Sequence, residues 1–570
     1  MRLIVAAATV LAFTLSVSAC GGGGNGAVGV TDATEISINP VAREALADGG
    51  TLRWPVVTIT PNFNYYHVDA SAGYETQIII NALMPWAFHT NAAGEPSVNH
   101  DLLQSAALTT RGPGLDAVDA SDPKQVVTYR INPEAVWSDG TPITWRDFEA
   151  QWRALNGTDT AYQVSANNGY NQIEQVAQGV DEREVVVTFG RPYVDWQAIF
   201  SPLYPASTMS SPDMFNTGWI NGPVTTAGPF RPDGVDRTAQ TVTLARNERW
   251  WGSPAKLDRI IYRAIEGDAQ VAALANDEVD LADVGPDVNK FAQARSTPGV
   301  DLRVAAGPSY RQITFNGQSE LLSDVRVRQA VAMSINRETI ARALIGPLGI
   351  PPVLLGNHIF MANQSGYKDN AGVLAYDPAR AAALLDEAGW RLDGGVRERG
   401  GHRLRLRFVI PTARAESQQE AELVQTMLAE VGVEVMLQTV PAEDFFPNYL
   451  IPGNFDITTS SFAGVTYPIS SSESLFAMPV SGPDGLIVQQ NYARISSPAI
   501  DDTIDRAIAE LDPARAIELA NAADVMIWEI AHSITTYQRP EIIAARSTLA
   551  NFGAFGFLRP IPYADIGFTG

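Results

Sequence analysis

The chain has 570 residues, a net charge of -23, six histidines and one cysteine, so length alone allows roughly three to four domains at about 150 residues each. With 45% hydrophobic and 18% charged residues it has the composition of a core-forming chain, and a single cysteine excludes a disulfide framework or a cysteine-rich metal site. The acidic balance excludes a nucleic-acid partner in the absence of a basic patch. Lysine is rare, and the longest basic cluster, Arg397 to Arg407, alternates with glycine and apolar residues and reads as a turn followed by a strand.

Arg2, the apolar stretch Leu3 to Ala19, Cys20 and the glycines after it describe an export signal ending at the cysteine. The stretch falls just short of the roughly 18 residues that mark a spanning helix. Val17-Ser18-Ala19-Cys20 also resembles the bacterial lipobox. That resemblance implies a signal peptide over 1–19, acylation of Cys20 and a lipid anchor on the outer face of the cell membrane. Residues 20–48 are small and polar and predict a flexible tether.

The body begins near Gly49. Thr51 to Ile59 reads as a buried strand ended by Pro61, followed by the polar-aromatic run Asn62-Phe63-Asn64-Tyr65-Tyr66. Tyr74 to Ala87 reads as a helix and Gln125 to Ile131 as a strand. Asp139-Gly140 is a turn signal between two apolar stretches. Thr144 caps a helix over Trp145 to Leu155, with Asp147 in its first turn. Arg183 to Phe189, Thr241 to Leu244 and Ile260 to Ile265 are β-rich. Ser323 caps a helix that carries Val327, Ala330 and Val331 on one face. Asp377-Pro378 opens a helix that Gly389 ends, and Asp512-Pro513 repeats that start. Alternating strands and helices predict α/β lobes.

No nucleophile elbow, zinc-protease helix or phosphate-binding loop stands in the chain. His67, His89, His100, His358, His402 and His532 include no pair at helical ligand spacing, and each reads as a surface or satisfied core histidine. The acid pairs Asp501-Asp502 and Glu443-Asp444 sit at expected helix starts and read as solvated caps rather than a glycosidase pair. Export without a catalytic motif favours binding over catalysis, and a secreted hydrolase is the remote reading.

Trp137-Ser138-Asp139-Gly140-Thr141-Pro142-Ile143-Thr144 resembles the signature of the peptide- and nickel-binding solute receptors of ABC importers, solute-binding family 5. Ala227-Gly228-Pro229-Phe230, Arg246-Asn247 with Trp250-Trp251-Gly252, Ser323 through Ala330 with Ile335-Asn336-Arg337, and Tyr376-Asp377-Pro378 through Trp390 agree in order. Pro61 to Asn64 and the run Arg546 to Ala554 are similar to the actinobacterial branch of that family, its oligopeptide-binding lipoproteins in particular.

The resemblance implies an α/β, two-lobed periplasmic-binding-protein-like fold of class II, cluster C, with an extra inserted subdomain and a hinged interlobe cleft. Lobe I would comprise 49–66, 192–306 and 536–570, the inserted subdomain 67–191, and lobe II 307–535. It implies a monomeric receptor without cofactor or catalysis. The receptor would capture an oligopeptide and deliver it to an ABC permease and its ATPase. The same fold without transport, binding or regulating a cell-wall glycolipid, is the alternative. By the family's arrangement the ligand would meet Asn62, Asn64, Tyr65 and Tyr66 from lobe I, and Phe462, Ala463, Gly464, Val465, Thr466 and Tyr467 from lobe II. Tyr310 and Arg311 would lie near the crossing between lobes. Many family receptors place an aspartate where Val465 stands, to pair the peptide amino terminus. No acid occurs here between Asp456 and Glu473, so another acid takes that role or the ligand brings no free amine.

Overall fold

The computed structural model describes residues 36–70, 74–109, 124–167, 169–412, 414–482 and 485–570. The signal, the lipobox with Cys20 and the first part of the tether lie outside them. Among the described residues no helix is long and apolar enough to cross a membrane.

Leu52, Trp54 and Val56 are buried along β1 (Thr51–Val56). This strand pairs in parallel with Arg259–Ala264, and Thr241–Arg246 and Phe230–Asp236 extend the sheet antiparallel. Helix α1 (Tyr74–Leu83) buries Ile78, Ile79 and Ile80 in the core that this sheet also lines. Gly228 allows the turn before Phe230 to touch the end of α1, since a Cβ there would lie 2.6 Å from the Ala82 carbonyl oxygen.

A second sheet, entirely antiparallel, runs in the order Leu103–Thr109, Val126–Ile131, Glu184–Phe189, Ile173–Gln178. Its apolar face joins the same core as the first sheet. Residues of α1 and of both sheets thus share one apolar interior.

The third sheet carries the connection between lobes. Its long strands β2 (Val300–Phe315) and β4 (Ser533–Arg546) run antiparallel to each other. Leu281–Asp283 pairs with the far end of β4. At the other end β3 (Ile457–Ala463) pairs with β2, followed by the parallel strands Arg405–Pro411 and Glu434–Val440. The β2–β4 register shifts between Ala306 and Tyr310, with Ala306 facing Pro540. Gly307 sits at this irregularity, where a Cβ would meet the Arg539 carbonyl oxygen at 2.6 Å. Val327, Leu385, Phe408, Leu428 and Tyr537 belong to a separate core on this side.

Local starts follow their caps. Thr144 and Asp147 form a reciprocal capping box on the helix Trp145–Leu155. Asp377 and Asp512 each accept a backbone N–H at the start of a Pro-initiated helix. One cap is corrected: Asp324, not Ser323, accepts the Arg326 N–H at 2.9 Å and starts the helix Val325–Met333. A carboxylate is the better acceptor for an N–H at a helix N-terminus.

The tether is also corrected where it is described. Residues 36–48 pack on the C-terminal segment instead of hanging free. Asn39 donates to the Ser547 and Leu549 carbonyls at 3.2 and 3.1 Å, and the Val41 N–H donates to Asn551 Oδ1 at 2.9 Å. Arg43 pairs with Asp565 at 2.8 Å and Leu46 is buried. Hydrogen bonds to distant carbonyls, together with Leu46, hold this segment, and composition does not reveal them.

Candidate functional site

The end of β3 brings the second lobe's expected residues together. Tyr310 and Phe462 face each other across the β2–β3 pair, with rings stacked at 5.8 Å and 23°. Burial raises the Tyr310 phenol above its usual range. The chain then turns: the Gly464 N–H donates to the Pro308 carbonyl at 2.8 Å. A Cβ on Gly464 would lie 2.5 Å from Met361 Cγ and 3.2 Å from Phe557 Cζ, so only glycine fits this approach. Ala463 and Val465 are exposed, and the Val465 carbonyl accepts from Gln364 Nε2 at 2.9 Å. The Thr466 carbonyl lies beside Gly94 of the first lobe. Tyr467 precedes the helix Pro468–Phe476, and burial, then Asp195 and Tyr193, raise its phenol.

The first lobe presents Tyr65 and Tyr66 through a loop fixed from behind. Asn62 and Asn64, both expected to meet the ligand, fix it. Both are buried and their amides are engaged by the protein. Asn62 donates to the Asn216 carbonyl and accepts the Asn64 N–H, each at 2.9 Å. Asn64 donates to the Phe215 carbonyl at 2.9 Å and accepts the Tyr66 N–H at 3.2 Å. These are Asx turns that replace missing backbone partners. Tyr66 donates its hydroxyl to the Pro202 carbonyl at 2.7 Å, and its ring meets Tyr65 edge-on at 5.4 Å. Burial raises both phenols.

Arg311, expected near the crossing between lobes, is buried. Side chains alternate along a strand, so Arg311 points away from the face that Tyr310 presents. It is 4% exposed against Glu420 at 0%. Its Nη2 donates to Glu420 Oε2 at 2.6 Å and to Thr459 Oγ1 at 2.9 Å, and its Nη1 to Ser461 Oγ at 3.2 Å. Burial opposes the charge, but Glu420, then Glu416, outweigh it and hold the guanidinium firmly protonated.

The two lobes touch around these residues. The Ser470 N–H donates to Asp195 Oδ2 at 2.8 Å, and the Val194 N–H to the Ile508 carbonyl at 2.8 Å. Asn363 Nδ2 reaches the Ala92 carbonyl at 3.3 Å, and Phe557 of the C-terminal segment packs with Tyr310, Leu355 and Met361. Burial raises the Asp195 carboxyl, partly offset by its Ser470 hydrogen bonds. Reading the sequence missed Asp195, Met361, Asn363 and Phe557, which are scattered along the chain. Only the acid inside Tyr193-Val194-Asp195-Trp196 carried a local signal.

Under this face lies a buried polar cluster. His532 Nδ1 lies 2.9 Å from Ser533 Oγ and its Nε2 3.0 Å from Asn491 Oδ1. His358 Nδ1 lies 2.8 Å from Asp524 Oδ1. Burial, then His358 and Arg328, push the His532 pKa well below its usual value. A depressed histidine contributes stability above its unfolded pKa of about 6.5, and that stability is lost as pH falls toward the folded value. The Tm gap between wild type and His532→Asn should therefore be largest near pH 7.5 and narrow near pH 5.5. A gap independent of pH, measured by calorimetry, would contradict the assignment. Among the described residues no three His, Cys, Asp or Glu side chains are placed to hold a metal ion.

The profile of bacterial extracellular solute-binding proteins, family 5 Middle, matches residues 106–479. The oligopeptide-binding protein OppA of Mycobacterium tuberculosis is 41% identical over 546 residues, 95% of this chain and 88% of that protein. A probable monoacyl phosphatidylinositol tetramannoside-binding protein, LpqW, of the same species is 30% identical over 344 residues, 59% of this chain and 51% of that protein. Among solved structures, the periplasmic EDTA-binding protein EppA superposes with a TM-score of 0.83 at 26% identity, covering 94% of this chain and 99% of that one. The oligopeptide-binding protein AppA of Bacillus subtilis, in complex with a nonapeptide, gives 0.71 at 17% identity, covering 92% and 100%. These likenesses establish the two-lobed α/β fold of periplasmic binding proteins, and the chain belongs to the bacterial extracellular solute-binding proteins of family 5.

Proposed function

We propose that this chain captures oligopeptides between its lobes and passes them to an ABC permease, held to the outer membrane face by a lipid on Cys20 and acting as a monomer. One observation carries the ligand class. β3 is paired along its whole length by β2, but on its other edge Arg405–Pro411 reaches only Ile457 and Thr458. Beyond Thr458 that edge carries no strand among the described residues. Backbone N–H and C=O groups on an open edge bind a peptide main chain without reading its side chains. Phe462 supplies aromatic surface at its end. Entry requires the Asp195–Ser470 and Val194–Ile508 contacts to part, and β2 and β4 at Gly307 and Pro540 are where the lobes would turn. A ligand touching both lobes then stabilises the closed form by its differential affinity. The 41% identity to an oligopeptide-binding protein across nearly the whole chain supports the same reading.

Val465 cannot pair an ammonium group. Titration calorimetry with a pentapeptide and its N-acetyl form should therefore give saturable binding of both, within about tenfold of each other, since no strong charge pair is lost. The absence of saturable peptide binding would overturn the proposal. The LpqW likeness keeps a glycolipid ligand as the second reading.

A further inference from the structure

The second lobe contains a cavity of about 300 Å³ that no cleft residue lines. Asn336 and Arg337 stand at the start of helix α2 (Arg337–Ile345), Leu374 and Tyr376 form one wall, and Trp528 and Ile534 close the apolar side. This volume lies at the lower end of the range for small-molecule sites.

Two polar groups around it are incomplete. Arg337 donates only through Nη1, to the Leu355 and Thr535 carbonyls at 2.8 and 3.2 Å. Its guanidinium sits over the Trp528 ring at 5.5 Å, and no carboxylate among the described residues is close enough to form an ion pair with it. Nε and Nη2 keep their donors. Trp528 is 1% exposed and its indole N–H has no acceptor. Arg311 and Arg328 in the same lobe are better supplied, Arg311 by Glu420 and Arg328 by the carbonyls of Leu322, Ser323, Ile530 and Ala531. Burial lowers the pKa of Arg337, the cost of an unpaired cation, and Asp369 only partly restores it.

We propose that this cavity binds a small monocarboxylate with an apolar or aromatic body. The carboxylate takes the free Nε–Nη2 edge of the Arg337 guanidinium through two parallel hydrogen bonds, the geometry in which arginine binds carboxylates most strongly. The apolar body lies along Leu374, Ile534 and the face of Trp528. Glu338 and Asp369 at the rim repel a second negative charge, so a dianion such as inorganic phosphate is disfavoured.

The test uses the full chain and phenylacetate, phenylacetamide and inorganic phosphate as probes in titration calorimetry. Phenylacetate should saturate one site at least tenfold more tightly than the amide, and phosphate should not displace it. Arg337 also anchors two carbonyls, so replacing it risks the fold. Ala375→Trp instead fills the cavity from its exposed rim. It should abolish phenylacetate binding and leave the melting temperature unchanged, whereas Ala463→Trp, at the interlobe face, should leave phenylacetate binding intact. No saturation by about 10 mM phenylacetate, equal affinity for the amide, or loss in Ala463→Trp but not in Ala375→Trp would overturn the proposal.

Discussion

Glu420→Ala should cost about 3–5 kcal/mol of folding stability, the penalty for leaving a buried charge without its partner. Glu420 is fully buried on helix α3 (Ala415–Glu430), and its Oε2 accepts from both Nε and Nη2 of Arg311. Thr459 and Ser417 complete the shell around Nη2. The double variant Arg311→Met with Glu420→Leu removes both charges and should recover most of the loss, because well-packed apolar residues replace buried ion pairs at little cost. Urea denaturation read by circular dichroism measures both. The same double variant should keep peptide affinity within about threefold, since Arg311 faces helix α3 rather than the cleft. A double variant that folds normally but binds peptide a hundredfold more weakly would return Arg311 to the site.

Ala463→Trp should produce the largest loss of binding with the smallest loss of stability. Ala463 is exposed and ends β3, one residue after the Phe462 ring that stacks on Tyr310. Substitution at an exposed position away from packing costs within about 0.5 kcal/mol of stability. An indole there occupies the open end of the edge on which the peptide main chain would pair. Peptide affinity should fall at least about a hundredfold, equivalent to roughly 2.7 kcal/mol, with the unfolding midpoint essentially unchanged. Phe462→Ala is the graded companion, expected to lose about 1–3 kcal/mol of binding by removing aromatic surface. Unchanged affinity in Ala463→Trp would move the ligand away from β3.

The sequence made the fold legible because its punctuation is local. Thr144 with Asp147, Asp377 with Pro378 and Asp139 with Gly140 each act over a few residues, and the structure places each where its chemistry requires. The family motifs proved to be framework. Trp137 is buried, and Asn247 donates to the Gly228 carbonyl at 2.8 Å, tying one motif to the next. The candidate site was legible only in part. Segment 62–66 stands out as a polar-aromatic run and 461–467 follows from the family resemblance, but which side chains are free depends on distant partners. The roles of Asn62 and Asn64 are decided by the carbonyls of residues 215 and 216, and that of Arg311 by Glu420. Phe557 and Met361 carry no local signal, because their importance lies in where Gly464 lets them meet.

The account turns on what lies between the lobes. The most direct test is mass spectrometry of the material released on denaturing the protein after gentle purification from its native membrane. The account predicts a mixed population of short peptides, with termini of varied sequence, absent from the Ala463→Trp variant. A single glycolipid species in place of peptides, retained by that variant, would contradict it.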